Sequence, residues 1–242
     1  MSTADQTRPR TNRILSALPA DEYERISPRL KNVALSLGEV LYRPDEPISY
    51  VYFPLSGTLS ITAVMSDGSE VEVGMVGREG MLGLPLVLGT DTAPLKALVQ
   101  VPDGALRLRA DSFCQELERG QGLRRLLLRY AQAFFVQTAV IAACNRLHPL
   151  DGRFARWLLT TRDRAQSGTL PLTQEFLSIM LGVRRAGVSE ACSELEGAGL
   201  IEHTRGRIKI ADPQGLERAS CECYGVVRRE YDRLLGAETH YE

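Results

Sequence analysis

The sequence predicts an α+β chain: an antiparallel β-roll at the front, one long helix in the middle and a winged helix-turn-helix behind it. Three observations carry this. Between Val33 and Leu108 apolar residues alternate in short runs broken by Gly, Pro and Asp, the period of strands. Between Asp111 and His148 the apolar spacing changes to alternating steps of four and three, the mark of a helix with a continuous stripe. From Thr173 to Ile210 two short helical patterns meet at a Gly and run into a basic hairpin.

In chain order, Ile14 to Leu30 reads as a pair of short helices. The strands follow as Val33-Ala34-Leu35-Ser36-Leu37, Glu39-Val40-Leu41-Tyr42, Tyr50-Val51-Tyr52-Phe53, Thr58-Leu59-Ser60-Ile61-Thr62 and Glu70-Val71-Glu72-Val73. Gly38, the Pro44-Asp45-Glu46-Pro47 turn and Ser56-Gly57 separate them, and Ser66-Asp67-Gly68-Ser69 reads as a hairpin turn. Many short strands at such spacing predict a compact barrel or sandwich.

The long helix carries Leu123, Leu127, Tyr130, Phe134, Gln137, Ile141, Cys144 and His148 on one stripe. Such a stripe fits either a seam between two copies of the chain or packing against the chain's own roll. The seam is favoured, which makes Leu123, Leu127, Tyr130, Phe134, Gln137 and Ile141 the expected dimer interface.

Asp151 to Arg164 is a further helix whose Phe154, Trp157 and Leu158 join the last core. In the helix-turn-helix, Thr173 stands as N-cap and Gly182 as left-handed stop, with Leu177, Met180 and Leu181 on one face. Val188, Ala191 and Leu195 repeat as a second helix. So short a turn crosses the helices steeply and turns the start of the second outward, as entry to a major groove requires. Leu200-Ile201-Glu202-His203 and Arg207-Ile208-Lys209-Ile210 flank Thr204-Arg205-Gly206 as a wing. Many helix pairs with Gly turns never touch nucleic acid; the cations Arg184, Arg185, Arg205, Arg207 and Lys209 tilt this one toward DNA. After Asp212-Pro213, Leu216 to Leu235 reads as one charged amphipathic helix with Val226, Val227, Tyr231 and Leu234 as its apolar side.

Composition limits the alternatives. The 242 residues hold 29 Lys+Arg against 30 Asp+Glu, which excludes a broadly basic nucleic-acid coat. Between Arg146 and Asp212 there are ten Lys/Arg and eight Asp/Glu, so DNA contact rests on a local patch and on dimerisation to accumulate contacts. No uninterrupted apolar run approaches the ~18 residues of a membrane span, and the polar start, Met1 to Asn12, does not read as a secretory signal. Five cysteines form no disulfide framework, in keeping with a reducing cytoplasm. Cys221-Glu222-Cys223 is a close thiol pair without a second pair, so no metal site is expected and packing roles are favoured for these thiols.

The ordered set of Gly38-Glu39-Val40-Leu41-Tyr42, Val51-Tyr52-Phe53 with Leu55-Ser56-Gly57, Asp67-Gly68, Gly80-Met81-Leu82-Gly83-Leu84, Gly152-Arg153-Phe154-Ala155 and Thr173 to Ile201 resembles the Crp/Fnr family of bacterial transcription regulators. The resemblance covers roughly Ile14 to Asp212. It implies a cyclic-nucleotide-binding-like roll that senses a signal, and long helices that pass it to two recognition helices of a homodimer. The divisions it suggests are a disordered lead (1–13), the sensor roll (14–115), the dimerisation helix (116–148), the DNA-binding domain (149–212) and a C-terminal helix and tail (213–242).

Cyclic-nucleotide-binding members carry a Glu for the ribose and an Arg for the phosphate, where this chain has Met81 and, as nearly as it aligns, Thr92. A buried phosphate without a guanidinium would be an unpaired charge, and Lys96, four residues on, is not expected to replace it. The expected pocket, at Met81, Leu82, Leu84, Thr92 and Lys96, is therefore apolar, filled by its own side chains and no site for cyclic nucleotide. No Fe-S cluster is expected, because no cysteine precedes Cys114. No haem is expected, because His148, His203 and His240 all lie beyond the roll.

By the family pattern the recognition helix starts near Val183 and faces the groove with Arg184, Arg185, Ser189 and Glu190. Arg185 falls on the family's guanine-reading position. Ala186 replaces a family Glu, and Glu190 an Arg of some members, so the operator should depart from the best-known consensus. Thr173 and Gln174 should meet phosphates, and Arg205 and Arg207 are the expected wing contacts. The function expected is a dimeric, sequence-specific transcription regulator, with double-stranded DNA, its own second copy and RNA polymerase as partners and no membrane. A sensor or interaction module of the same fold that has lost DNA binding is the alternative. No G-x-S-x-G, P-loop, HExxH or Cys/His pairing supports an enzyme.

Overall fold

The alternating strands pair as their turn residues direct. In the computed structural model, which describes residues 12–236, β1 (Lys31–Leu35), β3 (Tyr50–Pro54) and β7 (Asp103–Arg109) form one antiparallel sheet in the order β1-β7-β3. Strands β2 (Val40–Tyr42), β4 (Thr58–Val64), β5 (Glu70–Val76) and β6 (Lys96–Val101) form a second in the order β2-β6-β4-β5. The β4–β5 hairpin closes where the Asp67 carboxylate accepts from the Ser69 N–H and hydroxyl, with Gly68 at φ +82°. Val51, Phe53, Leu59, Val99 and Leu108, all buried, fill the roll.

Asn12 belongs to the roll rather than to a lead. It is fully buried, its Nδ2 donates to the Pro54 and Gly80 carbonyls, and its Oδ1 caps α1 (Arg13–Ser16). The rest of the expected lead, residues 1–11, lies outside the described residues, as do residues 237–242 of the expected tail. Helix α2 (Ala20–Ile26) follows, and α3 (Leu84–Val87) covers the roll after β5.

The long helix starts later than expected. Gly120, extended at φ −101°, separates α4 (Ala110–Arg119) from α5 (Gln121–Leu147). The expected boundary at 116 therefore falls inside α4, whose Phe113 and Leu117 belong to the roll core. The Glu22 carboxylate accepts from the backbone N–H groups of Gly122 and Leu123 (2.9 and 2.7 Å), satisfying two orphan donors at the head of α5.

The stripe on α5 is turned inward, which corrects the expected seam. Leu123, Leu127, Tyr130 and Gln137 are buried against the chain's own roll, Phe134 is half-buried there, and Ile141 is buried further along the helix. The Tyr130 hydroxyl donates to the Met81 carbonyl, and Gln137 Nε2 to the Met75 carbonyl, both at 3.0 Å. A Cβ on Gly80 would run into the Tyr130 ring, and one on Gly74 into Phe134. The roll approaches α5 so closely that only glycine fits at these two points.

By length and composition α5 could cross a membrane, with a mean hydropathy of 1.4 over an 18-residue window. The sequence reading missed this because the helix is apolar on average, without an unbroken run. A single such helix is weak grounds for a membrane role, and here the roll occupies one of its faces.

The remaining elements are α6 (Leu150–Ala165), β8 (Thr169–Leu170), α7 (Gln174–Leu181), α8 (Arg185–Gly197), β9 (Ile201–Thr204), β10 (Arg207–Ile210), α9 (Pro213–Ala219) and α10 (Cys223–Leu235). The wing gains a third strand beyond the expected two, in the order β8-β10-β9. Phe154, Trp157, Leu158, Leu177, Val188, Leu195 and Ile208 form this domain's core. The expected single C-terminal helix is two, α9 and α10, bent at Ser220-Cys221-Glu222. Helix α10 returns to α5, with the Tyr231 and Tyr130 ring centroids 6.3 Å apart.

Candidate nucleic-acid interface

The helix-turn-helix is built by the residues that predicted it. Thr173 Oγ1 accepts from the Phe176 N–H at 3.2 Å, and Gly182 ends α7 at φ +63°. The Gly182 and Val183 N–H groups then return to the Ile179 and Ser178 carbonyls, closing a left-handed cap. Helix α8 begins at Arg185 with Arg184 as N-cap, two residues later than Val183. Val188, Ala191, Cys192 and Leu195 face the core.

The outward face of α8 is divided by charge. Arg184 and Arg185 stand exposed at its head, while Glu190, Glu194 and Glu196 are exposed further along. Phosphates would repel the acidic part, so only the N-terminal end of this helix suits a groove. Arg185 Nη2 lies 2.6 Å from Glu175 Oε1 on α7. Both side chains are more than half exposed, so the pair is weak and yields readily to a base edge. Ser189, Arg205 and Arg207 are exposed, Thr173 is exposed with its hydroxyl on the cap, and Gln174 is half-buried. Lys209, the remaining wing cation, is paired with Glu202 at 2.9 Å.

A cleft of ≈ 890 Å³ separates the helix-turn-helix from the β4–β5 hairpin. Met65, Glu70 and Val71 line it from the roll, and Ile179, Arg184 and Glu190 from the other side. Deeper in, α6 is joined to the roll by buried polar contacts. Trp157 Nε1 donates to Glu72 Oε1 at 2.8 Å, and Gln100 Nε2 to Thr161 Oγ1 at 3.0 Å. Arg164 Nε donates to Glu79 Oε1 and its Nη2 to Gln137 Oε1, both at 2.6 Å. Burial pushes the Glu72 carboxyl up to about 7, against the hydrogen bonds from Ser60 and Trp157 and the nearby Arg156 and Arg164. The sequence reading singled out none of Glu72, Gln100, Thr161 and Arg164.

Of the expected ligand residues, Met81 and Leu82 are buried, Leu84 is half-buried and Thr92 is exposed. Lys96 is held by Glu70, its Nζ 3.0 Å from Oε2, beside the turn of the β4–β5 hairpin. The Cys/His pairing that the linear sequence lacked does exist in space, at the far end of α5: Cys144, His148, Cys221 and Cys223 place their ligand atoms within 4.8 Å of one another. The sequence reading paired only Cys221 with Cys223, because the partners lie more than seventy residues away.

A sensor-like roll, a long connecting helix and a winged helix-turn-helix with cations at the head of its second helix define a DNA-binding transcription regulator. Comparison with known proteins agrees. A cyclic nucleotide-binding domain model matches residues 33–119, and a Crp-like helix-turn-helix domain model matches residues 152–219. The chain belongs to the Crp/Fnr family. It is 23% identical over 189 residues to the global nitrogen regulator of Synechocystis, covering 74% of this chain and 84% of that protein. FixK2 from Bradyrhizobium japonicum shares the fold with a TM-score of 0.67 at 19% identity, over 79% of this chain and 98% of that one. TTHB099, a Crp-family transcriptional regulator from Thermus thermophilus, does so with a TM-score of 0.63 at 19% identity, over 78% and 96%.

Proposed function

We propose that this chain acts in the cytoplasm as a homodimer that reads a two-fold operator with the heads of its two α8 helices, with RNA polymerase as a further partner and no catalytic activity. The observation that carries this reading is the division of charge on α8, which leaves Arg184 and Arg185 exposed at its head, as Arg205 and Arg207 are exposed on the wing. The seam is reassigned to the outer face of α5. There Leu128, Gln132, Phe135, Ala139 and Ala142 are exposed at steps of four and three, a second heptad stripe opposite the buried one. Leu128 and Phe135 are 47% and 68% exposed, an apolar stripe that a second copy would cover.

Cyclic nucleotides are not the signal in this reading. Met81 is buried where a ribose-binding Glu would stand, and Lys96 is engaged by Glu70. Calorimetry with cyclic AMP and cyclic GMP should show no binding at micromolar concentrations. A stoichiometric isotherm would reverse this part of the reading.

The decisive test compares Arg185→Ala with Arg205→Ala on a selected operator and its single-base variants across a salt series. Losing the Arg185 base contact should cost about 1–3 kcal/mol per half-site and relax preference at one base. Losing the Arg205 phosphate contact should weaken all sequences alike and reduce the salt slope by about one. If the unaltered chain prefers no sequence over random DNA, the interaction-module alternative takes its place.

A further inference from the structure

The four side chains at the far end of α5 have the composition and geometry of a metal centre. Cys144 and His148 stand one turn apart at the end of the helix, and Cys221 and Cys223 bracket Glu222 in the bend between α9 and α10. Cys144 Sγ lies 3.5 Å from Cys221 Sγ, and Cys223 Sγ lies 3.5 Å from His148 Nδ1. A tetrahedral zinc site with Zn–S near 2.3 Å and Zn–N near 2.0 Å has edges of about 3.5–3.8 Å. The two 3.5 Å separations match that size, and all four ligand atoms lie within 4.8 Å of one another. The thiolates around an iron–sulfur cube stand much farther apart, so a single ion fits and a cluster does not.

We propose that Cys144, His148 Nδ1, Cys221 and Cys223 form a structural site for one Zn²⁺ ion. The surroundings supply what such a site needs. His148 directs its other nitrogen, Nε2, at Glu222 Oε1, 3.3 Å away. A carboxylate on the outer nitrogen is the usual partner of a metal-bound imidazole, fixing its tautomer and ring orientation. Three thiolates, a neutral imidazole and a divalent ion carry a net negative charge. Arg153 and Arg156 on α6 are buried near Cys144, and the Nε of each lacks a hydrogen-bond partner among the described residues. Their charge offsets that of the filled site.

The position gives the site a task. Only His148 and Pro149 separate α5 from α6, so any swing of the DNA-binding domain relative to the roll must bend there. Cys144 comes from the last turn of α5, His148 from the linker after it, Cys221 from the α9–α10 bend and Cys223 from the head of α10, and the Cys221 N–H donates to the Gly152 carbonyl of α6 at 3.3 Å. A metal here fastens three helices around the hinge.

The test is metal analysis of the full chain purified without chelator, then reconstituted with Zn²⁺ or Co²⁺ under reducing conditions. One equivalent per chain is expected, with the intense visible bands of tetrahedral thiolate-bound cobalt. Cys144→Ser with Cys223→Ser should abolish both signals, and Cys114→Ser with Cys192→Ala should keep them. Glu222→Gln, at an exposed position, should lower affinity about 10–100-fold while leaving the fold intact. It therefore decides the matter even if the cysteine variant fails to fold. Substoichiometric metal after reconstitution, a cobalt spectrum indifferent to Glu222→Gln, or a Cys144–Cys221 disulfide in the reduced preparation would overturn the proposal.

Discussion

The roll is held by two joints of opposite character. Helix α5 lies against it through Leu123, Leu127, Tyr130 and Ala133, with glycines removing every obstacle to close approach. Helix α6 meets it through buried polar pairs, Trp157 with Glu72, Thr161 with Gln100 and Arg164 with Glu79, beside the roll's Met75 and Val101, which pack into the core of the DNA-binding domain. Parting the first joint would expose apolar surface for which water offers no replacement. Parting the second would let water take over each lost hydrogen bond, so its net cost is modest. The difference predicts where the molecule would part first: between the roll and the DNA-binding domain rather than along α5.

Substitutions can break this contrast, and the largest effect belongs to the apolar joint. Tyr130→Ala should destabilise the chain by about 3–5 kcal/mol in urea denaturation, through the cavity and the lost bond to the Met81 carbonyl. A loss below about 1 kcal/mol would mean that α5 is not anchored there.

The polar joint should respond to pH instead. Glu72 is raised from its ordinary value of 4.5 to about 7 by burial, so its protonated form suits the joined state. Its stabilising contribution is fully present below about 4.5 and is lost as pH rises through about 7. From about pH 6 to about pH 8 the chain should lose about 1 kcal/mol through this group. Glu72→Gln, which keeps the shape without the charge, should remove that part of the slope. An unchanged slope in the variant would take Glu72 out of the account.

The smallest effect on stability should come from the outer face of α5. Leu128→Asp with Phe135→Asp should change the monomer's stability by less than about 0.5 kcal/mol and yet give monomers by light scattering. Dimers surviving both changes would return the seam to some other surface.

These joints also explain what could be read from the sequence. The first five strands, the Thr173 cap, the Gly182 stop and the wing hairpin were legible because each is set by neighbours in the chain, whereas β6, β7 and β8 were not read as separate strands. The heptad stripe was legible as a stripe but not as a partner. A period of three and a half says that one face is buried, and the same helix carries a second stripe on its other face. The burial of Glu72 was not legible for a related reason. The alternation in Glu70-Val71-Glu72-Val73 assigns it to the solvent side of the hairpin, and only the docking of α6 turns that side into an interior. The thiol and imidazole cluster was invisible because α10 must first fold back along α5 to bring its halves together.

Trp157 is the sole tryptophan of the chain, and its indole N–H is bonded to a carboxyl of the other domain. The molecule thus carries its own optical probe of the contact between roll and DNA-binding domain. Separation would hydrate the indole and move its emission to longer wavelength, so rapid mixing with operator DNA would test in real time, on unlabelled protein, whether binding parts the two domains.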